Sequence, residues 1–306
     1  MLLPNYLFRA VALSSLAHLA QQASAATDPF EILKSSQGLE ITFETSSSLG
    51  SFDYAFVDRL ELRAANRALL NIQSGGVPVP VPDPEGNANP NEVSKRLFKA
   101  RDELFKKKMN LYGQPLLDLL KSETDLANRR MRLCAAASKG SFTSGHVVIN
   151  VTGNITIEGF LAIIGPLFNT DGLDEEGIKQ IATQFAFPVH PEHYEVIAGA
   201  SFGVTETWGG IPTRSFVDPT AALPAFVSQY RDESFPMAAS GHGFLQDNTT
   251  VTWTLQQFKE TATGLAIDLR IWYPSACPPE YVHDHVEHFC VEYRNGLVLA
   301  AGSAST

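Results

Sequence analysis

The chain has 306 residues, a hydrophobic content of 44% and a formal net charge of -10 at pH 7. The hydrophobic content is ordinary for a globular protein. The negative charge argues against nucleic acid or an anionic membrane as a partner, because both bind cationic surfaces. The sequence also carries no Walker loop, dinucleotide fingerprint, zinc-protease helix or paired-cysteine metal motif.

The first 25 residues have the pattern of a secretory signal peptide. Arg9 supplies the positive charge, residues 10–20 form a short apolar run, and Ala23-Ser24-Ala25 has the form of a cleavage site. The apolar run is too short to span a bilayer, so we expect no membrane insertion. We expect a secreted protein or a resident of the secretory-pathway lumen. Three glycosylation sequons agree with that route, and they begin at Asn150, Asn154 and Asn248.

Residues 26–140 are predicted to form a mainly helical region. Apolar residues recur at helical spacing over 52–72, and the same spacing returns over 91–111 and 116–136. Between the first two stretches, residues 76–90 are rich in proline and predict an exposed linker.

Residues 141–306 are predicted to form an α+β domain with a pocket. Their patterns alternate between strand and helix. The predicted elements are strands at 146–151, 194–198, 202–208, 249–259, 265–273 and 289–300, and helices at 157–168, 173–185 and 221–230. Within the last strand, Arg294-Asn295-Gly296-Leu297 predicts a hairpin turn. Helices followed by an antiparallel sheet indicate the α+β class.

The predicted strand 265–273 alternates strictly. One face carries Leu265, Ile267, Leu269, Ile271 and Tyr273, and the other carries Asp268, Arg270 and Trp272. The first face suits the core. The carboxylate and guanidinium on the second face are either a catalytic pair or a solvated surface ion pair.

Four segments of the last third resemble the second half of a SnoaL-like, NTF2-like domain. They are the helix 221–230, Phe235-Pro236, the strand 247–255 and the closing strand 291–298. The resemblance implies a cone-shaped pocket between a curved antiparallel sheet and packed helices. Members of that family are polyketide cyclases, dehydratases and isomerases that use a His/Asp pair without a cofactor, and others are non-catalytic binding proteins.

A block of histidines lies between Cys277 and Cys290, namely His283, His285 and His288. In an oxidising compartment the simplest disulfide joins those two cysteines and leaves Cys134 free, although two other pairings stay open. The histidines are exposed side chains on a tethered segment, acid/base groups at a pocket, or metal ligands.

The histidine block also resembles the His-x-His signature of cupins. Its glutamates do not fit that signature, because Glu287 comes too early and Glu292 too late. We therefore expect no metal and no other cofactor.

A serine nucleophile is an alternative. Gly199-Ala-Ser201-Phe-Gly203 has the Gly-x-Ser-x-Gly form, and Ser201, Asp268 and a later histidine follow the chain order of an α/β-hydrolase triad. Residues 204–212 are a poor match to the helix that this fold places after the serine.

The favoured hypothesis is a secreted, cofactor-independent enzyme. It would act on an apolar, natural-product-like small molecule by cyclisation, isomerisation, dehydration or pericyclic ring closure. Asp268 and either His285 or His288 would transfer protons, and the expected substrate-binding residues are Trp208, Trp253, Arg270, Trp272 and Tyr273. The alternatives are a non-catalytic secreted binding protein and a serine hydrolase using Ser201. The oligomeric state is left open, with a homodimer as one option.

Overall fold

The computed structural model describes residues 28–75, 89–168, 172–197 and 202–303. The predicted signal peptide, most of the proline-rich segment and Ser201 lie outside these ranges. Within them, no helix has both the length and the apolar character needed to cross a bilayer.

The helices follow the predicted spacing over the first half of the chain. Asp53 caps the second helix by accepting a hydrogen bond from the Phe56 N–H, and Asn89 caps the third in the same way through Glu92. A 3-10 turn (Gly165–Phe168) follows α5, and a π-helical turn (Ala182–Ala186) joins α6 to α7. The helices are α1 (Pro29–Ile32), α2 (Tyr54–Ser74), α3 (Pro90–Asn110), α4 (Gln114–Ser138), α5 (Ile157–Ile164), α6 (Glu175–Ile181), α7 (Phe187–Val189), α8 (Ala225–Ser228) and α9 (Glu280–Ser303).

In the described part of the chain, nine strands form one antiparallel sheet in the order β2-β1-β3-β9-β8-β7-β6-β5-β4. The sheet is not closed. Its strands are β1 (Glu40–Thr45), β2 (Ser51–Asp53), β3 (Phe142–Thr152), β4 (His193–Ile197), β5 (Phe202–Trp208), β6 (Ile211–Asp218), β7 (Met237–Phe244), β8 (Thr250–Thr261) and β9 (Gly264–Pro274). The mixture of helices and antiparallel strands is the predicted α+β class. Strands β1 and β2, from the region predicted to be mainly helical, extend the sheet through β3.

The last helix, α9, packs on one face of this sheet. The helix comes close to the sheet at Gly145 of β3. A side chain there would have no room, because a Cβ atom would lie 2.5 Å from Val286 and 2.8 Å from Val282. On the same face β3 buries Val147 and Ile149 against the main core. The opposite face of the sheet carries a smaller apolar cluster under α8 that contains Val227, Leu255 and Trp272.

A buried ion network fixes α9 to α2 and α3. Glu61 of α2 accepts hydrogen bonds from Arg101 of α3 and Arg294 of α9, and all three side chains are buried. Arg294 also donates to Asp58 at 2.7 Å. Buried charges are tolerated only when they are paired and hydrogen-bonded, and this network meets that condition.

The predicted strand and hairpin at 289–300 are wrong, because these residues belong to α9. Asn295 and Gly296, whose sequence predicted a turn, instead contact other elements of the fold from within that helix. The Asn295 amide donates to the carbonyls of Pro188 and Val189, and a Cβ on Gly296 would lie 3.0 Å from Phe160. The closing strand of the NTF2-like resemblance is therefore helical here. Strands β1, β2, β6 and β7 were not predicted.

Candidate active site

A cluster of buried histidines and glutamates lies between α9 and the β4–β5 edge of the sheet. His193 opens β4 and is paired in register with Glu206 of β5, so both side chains point to the same face. His285, His288 and Glu292 of α9 have i, i+3, i+7 spacing, which places them on one helix face. Two strands and one helix thus bring five ionisable side chains together.

Three atoms of this cluster lie within contact distance of one another. Nε2 of His193 is 3.1 Å from Nε2 of His288. The Oε2 atom of Glu206 is 3.3 Å from the first and 3.5 Å from the second. Glu292 lies beside them, with its Oε2 at 3.8 Å from His288 Nε2. The Trp208 indole N–H donates to the other oxygen of Glu206 at 2.5 Å.

A fourth imidazole, that of His190, packs on this cluster. Its ring stacks on His288 with centroids 3.6 Å apart, and its Nδ1 accepts a hydrogen bond from the Glu192 N–H. One ring nitrogen from each of His190, His193 and His288 lies within 4.8 Å of the other two. Among the residues described, Nε2 of His190 and Nδ1 of His288 have no hydrogen-bond partner.

The turn that carries His190 and His193 is held from two helices. Arg67 of α2 forms a bidentate ion pair with Glu192 at 2.5 and 2.8 Å and also reaches Asp284 of α9 at 3.1 Å. Lys108 of α3 is buried and donates to the carbonyls of Pro191 and His193. These contacts restrain the position of His193, as a functional site requires.

Burial and hydrogen bonding shift the pKa values of the cluster. Burial favours a neutral Glu206, but the hydrogen bond from His193 outweighs it and lowers the pKa of Glu206. Burial alone would lower the pKa of His193, and the same Glu206 contact raises it. Burial raises the pKa of Glu292 to about 7 and lowers that of His285 to about 4. The pKa of His288 is also lowered by burial.

His285 is oriented by a tyrosine. The Tyr273 hydroxyl and Nδ1 of His285 form a hydrogen bond of 2.9 Å, and burial raises the phenol pKa well above its usual value, so the hydroxyl keeps its hydrogen and can act as the donor. In the tautomer in which the hydroxyl donates, the neutral imidazole carries its hydrogen on Nε2. Its ring also contacts Phe289 and Trp208 edge-on.

A partly open cavity of about 100 Å³ adjoins the cluster. Its polar end contains His193, Glu206, His285, His288 and Glu292. The remaining wall is largely apolar, with Thr252, Thr254 and Gln256 from β8 as further polar groups, and its apolar residues include Phe160, Ile164, Val196, Val204, Trp208, Ile271 and Phe289. A few polar groups beside an apolar wall are also typical of pockets that bind small ligands.

The predicted site residues divide between the two faces of the sheet. His285, His288 and Trp208 line the cavity, and Tyr273 supports it through His285. The opposite face carries Asp268, Arg270, Trp253 and Trp272, so these four residues do not line this cavity, and their catalytic and substrate-binding roles stay predictions. The physical reason is strand alternation, since β8 and β9 turn Thr252, Thr254 and Ile271 toward the cavity.

Asp268 has a different histidine partner from the predicted one. His146 Nε2 lies 2.8 Å from an Asp268 oxygen, and Gln257 donates to the other oxygen at 3.3 Å. Burial would raise the pKa of Asp268, but these contacts outweigh burial and lower it. The half-buried pair of His146 and Asp268 lies on the face of the sheet opposite the cavity.

The cysteines do not pair as predicted. Cys134, Cys277 and Cys290 are all free, and the Cys277 thiol lies against Cys134 instead of Cys290. Cys277 precedes α9, whereas Cys290 is buried within the helix.

The three asparagines of the predicted glycosylation sites are exposed, and glycosylation itself stays a prediction.

Three members of the cluster and the adjacent His190 were not predicted as site residues. The three members are His193, Glu206 and Glu292. Two signals could have found some of them. His190 and His193 lie three residues apart directly before a strand, and Glu292 continues the i, i+3, i+7 pattern that begins at His285. The predicted strand at 289–300 hid the second signal, because it placed Glu292 in a different element from His285 and His288.

Comparison with known proteins does not add to this description. The sequence matches no protein-family model, and no curated protein matches it. Membership of a family, including the NTF2-like one, therefore stays a prediction.

Proposed function

We propose that the protein is a non-redox enzyme that moves protons on a small, mainly apolar substrate in the cavity beneath α9. The observation that carries the proposal is the collection of His193, Glu206, His285, His288 and Glu292 at one end of a largely apolar cavity. Packing such groups out of water opposes folding unless their contacts compensate. If this end of the cavity served only the stability of the fold, apolar side chains would fill it at a lower free-energy cost.

Two of these groups are suited to proton transfer by their positions. Glu292 is a carboxylate in the cavity wall that can accept a proton from a substrate carbon or oxygen. His285, with its hydrogen on Nε2, can donate a hydrogen bond to an oxygen on which negative charge develops. The two residues are seven positions apart on α9, about 10 Å along the helix axis, so they bracket the polar end.

The cavity limits the size of the reacting group. Its volume of about 100 Å³ is of the order of a protein cavity that holds one benzene ring. A single ring or a short chain fits inside, and the remainder of a larger molecule must project through the open side. Isomerisation or dehydration of such a group is the chemistry that we propose. A cavity between a sheet and a helix is also what an NTF2-like cone would provide, and that finer fold assignment is part of the proposal.

Hydrogen–deuterium exchange tests this function with simple carbonyl compounds in place of the natural substrate. Small cyclic ketones and enones would be incubated with the protein in deuterium oxide, and deuterium incorporation would be followed by mass spectrometry. We expect the wild type to catalyse exchange at the carbon next to the carbonyl group. Glu292→Gln should lower the exchange rate by about 100-fold or more, the usual contribution of a general base.

Asp268→Asn is the matched control, because it also neutralises a half-buried carboxylate but on the opposite face of the sheet. It should leave exchange unchanged. Exchange by Glu292→Gln at the wild-type rate would contradict the proposal. Compounds that bind in the cavity without exchange or conversion would indicate the alternative, a small-ligand-binding protein.

A further inference from the structure

We propose that Nε2 of His193, Nε2 of His288 and Oε2 of Glu206 bind one divalent transition-metal ion, with zinc as the preferred ion. The inference deepens the proposed function and rests on it for the use of the metal, although binding itself can be tested separately. Two histidines, one glutamate and one open position form a ligand set of catalytic zinc sites.

The distances between the three atoms fit a tetrahedral ion. They form a triangle with sides of 3.1, 3.3 and 3.5 Å. A point equidistant from its corners lies about 1.9 Å from each, so zinc with bonds of roughly 2.05 Å would sit about 0.7 Å out of the plane. A regular tetrahedral site has the same displacement, one third of a bond length. An octahedral ion with bonds of about 2.1 Å needs shorter sides, about 3.0 Å.

One hydrogen atom cannot bridge all three of the contacts among His193 Nε2, His288 Nε2 and Glu206 Oε2. Nδ1 of His193 lies 3.0 Å from the Ala186 carbonyl, and this contact requires a hydrogen on Nδ1. The neutral ring then has a lone pair on Nε2 that faces both His288 and the Glu206 carboxylate, whereas the protonated ring donates its second hydrogen to Glu206 and leaves the contact with His288 unbridged. A further hydrogen can bridge one pair of the three atoms, whereas a central cation attracts all three.

The surroundings also suit a metal site. His193, His288 and Glu206 are 5%, 4% and 7% exposed, so water competes weakly for them. The Ala186 carbonyl fixes the ring of His193, and the Trp208 indole holds the second oxygen of Glu206. Such contacts to the far side of metal ligands orient them and increase their affinity. The cavity provides a path by which the ion can enter.

The fourth position of the ion would face the cavity, because all three ligands line it. A substrate carbonyl bound there would be polarised, and its neighbouring C–H bond would become more acidic. Glu292 accepts that proton, the electron pair moves toward the carbonyl oxygen held by the metal, and return of the proton to another carbon completes an isomerisation. The reaction needs no oxidant and no second substrate.

His190 is the competing third ligand, because its ring also lies beside His193 and His288. The Glu206 assignment is preferred since Nδ1 of His190 accepts a hydrogen bond from the Glu192 N–H, and the neutral ring then carries its hydrogen on Nε2, so neither nitrogen has a free lone pair for a metal. His190→Gln therefore distinguishes the two ligand sets.

The test measures the metal directly on untagged protein. After incubation with zinc and dialysis, elemental analysis should find about one zinc per chain, and His193→Ala, His288→Ala or Glu206→Ala should weaken binding by more than about 100-fold. His283→Gln, an exposed histidine on the same helix, should retain the metal. Cobalt in place of zinc should give the intense visible absorption of a four-coordinate ion.

Three results would overturn the inference: less than about 0.1 zinc per wild-type chain, loss of zinc in His283→Gln, or loss in His190→Gln with retention in Glu206→Ala. If the alanine variants do not fold, zinc must still raise the melting temperature of the wild type, and a chelator must reverse this, because a ligand of the native state stabilises it. Absence of that shift would also contradict the inference. Zinc binding without deuterium exchange would refute only the proposed function, and exchange by metal-free protein would refute only the use of the metal.

Discussion

Replacing Glu61 by glutamine should be among the most damaging substitutions in the chain. The change removes the charge that Arg101 and Arg294 share, and both guanidinium groups are almost fully buried. Arg294 still has its hydrogen bond to Asp58 at 2.7 Å. Among the described residues, the other hydrogen-bond acceptors of Arg101 are the Leu33 carbonyl and the Asn295 side chain, both at the long distance of 3.5 Å.

Breaking a buried ion pair from one side costs about 3–5 kcal/mol, because the remaining charge stays out of water without compensation. That is a large part of the stability of a domain, which is about 5–15 kcal/mol. Because Arg294 lies on α9, the substitution should also loosen the helix that carries His285 and His288. Urea unfolding followed by fluorescence would measure the loss.

Asp125→Asn is the matched control, since Asp125 forms an exposed ion pair with Lys121. Exposed pairs contribute little, so its unfolding free energy should change by less than about 1 kcal/mol. A loss below about 1 kcal/mol for Glu61→Gln would refute the account of the buried network.

Three further outcomes are expected. Gly145→Ala should lower the unfolding free energy in urea by about 1–3 kcal/mol, because the added Cβ has no room beneath α9; an unchanged value would show that the helix shifts freely. Asp268→Asn should cost about 1 kcal/mol at pH 7. Since the pKa of Asp268 is lowered in the fold, the stability it provides is present above the unfolded value of about 4 and is lost as pH falls through the folded value, so wild type and variant should converge in acid unfolding. Mild oxidation with oxidised glutathione should join Cys134 to Cys277, and peptide mapping that finds Cys277 joined to Cys290 would contradict the structure.

The sequence predicted the helices α2, α3 and α4 well, because each has one apolar face and a clear start or end. Strands β8 and β9 were also predicted, and alternation along β9 separated its core face correctly. The alternation of apolar and polar residues along a strand does not show on which side of the sheet a cavity lies. Asp268 was predicted as a catalytic residue for its chemistry, and it lies on the face opposite the cavity for this reason.

The second half of the last helix was missed because those residues are buried nearly all round. A helix without a polar face has no helical periodicity in its sequence, and its valines, aromatics and Asn295-Gly296 then favour a strand and a turn. Gly296 and Asn295 are explained only by neighbours distant in sequence, Phe160 of α5 and the carbonyls before His190.

The site itself depends on such long-range contacts. His288 was found from the sequence because it lies in a dense histidine block, but its partners His193 and Glu206 are about 80 to 95 residues earlier. Glu206 has no local signal that distinguishes it from an ordinary polar residue on a strand, and the spacing of His190 and His193 does not reveal which distant residues they meet. Register pairing between β4 and β5 brings His193 and Glu206 together, and sequence patterns do not specify that register.

His193, His288 and Glu206 are proposed to hold a metal ion at the polar end of the cavity. An anomalous difference map from crystals of the zinc-loaded protein, recorded on both sides of the zinc absorption edge, tests this claim most directly. We expect one strong peak at about 2.0–2.2 Å from Nε2 of both histidines and from Oε2 of the glutamate. A map with no peak between these residues, or with peaks only at exposed histidines such as His283, would contradict the claim.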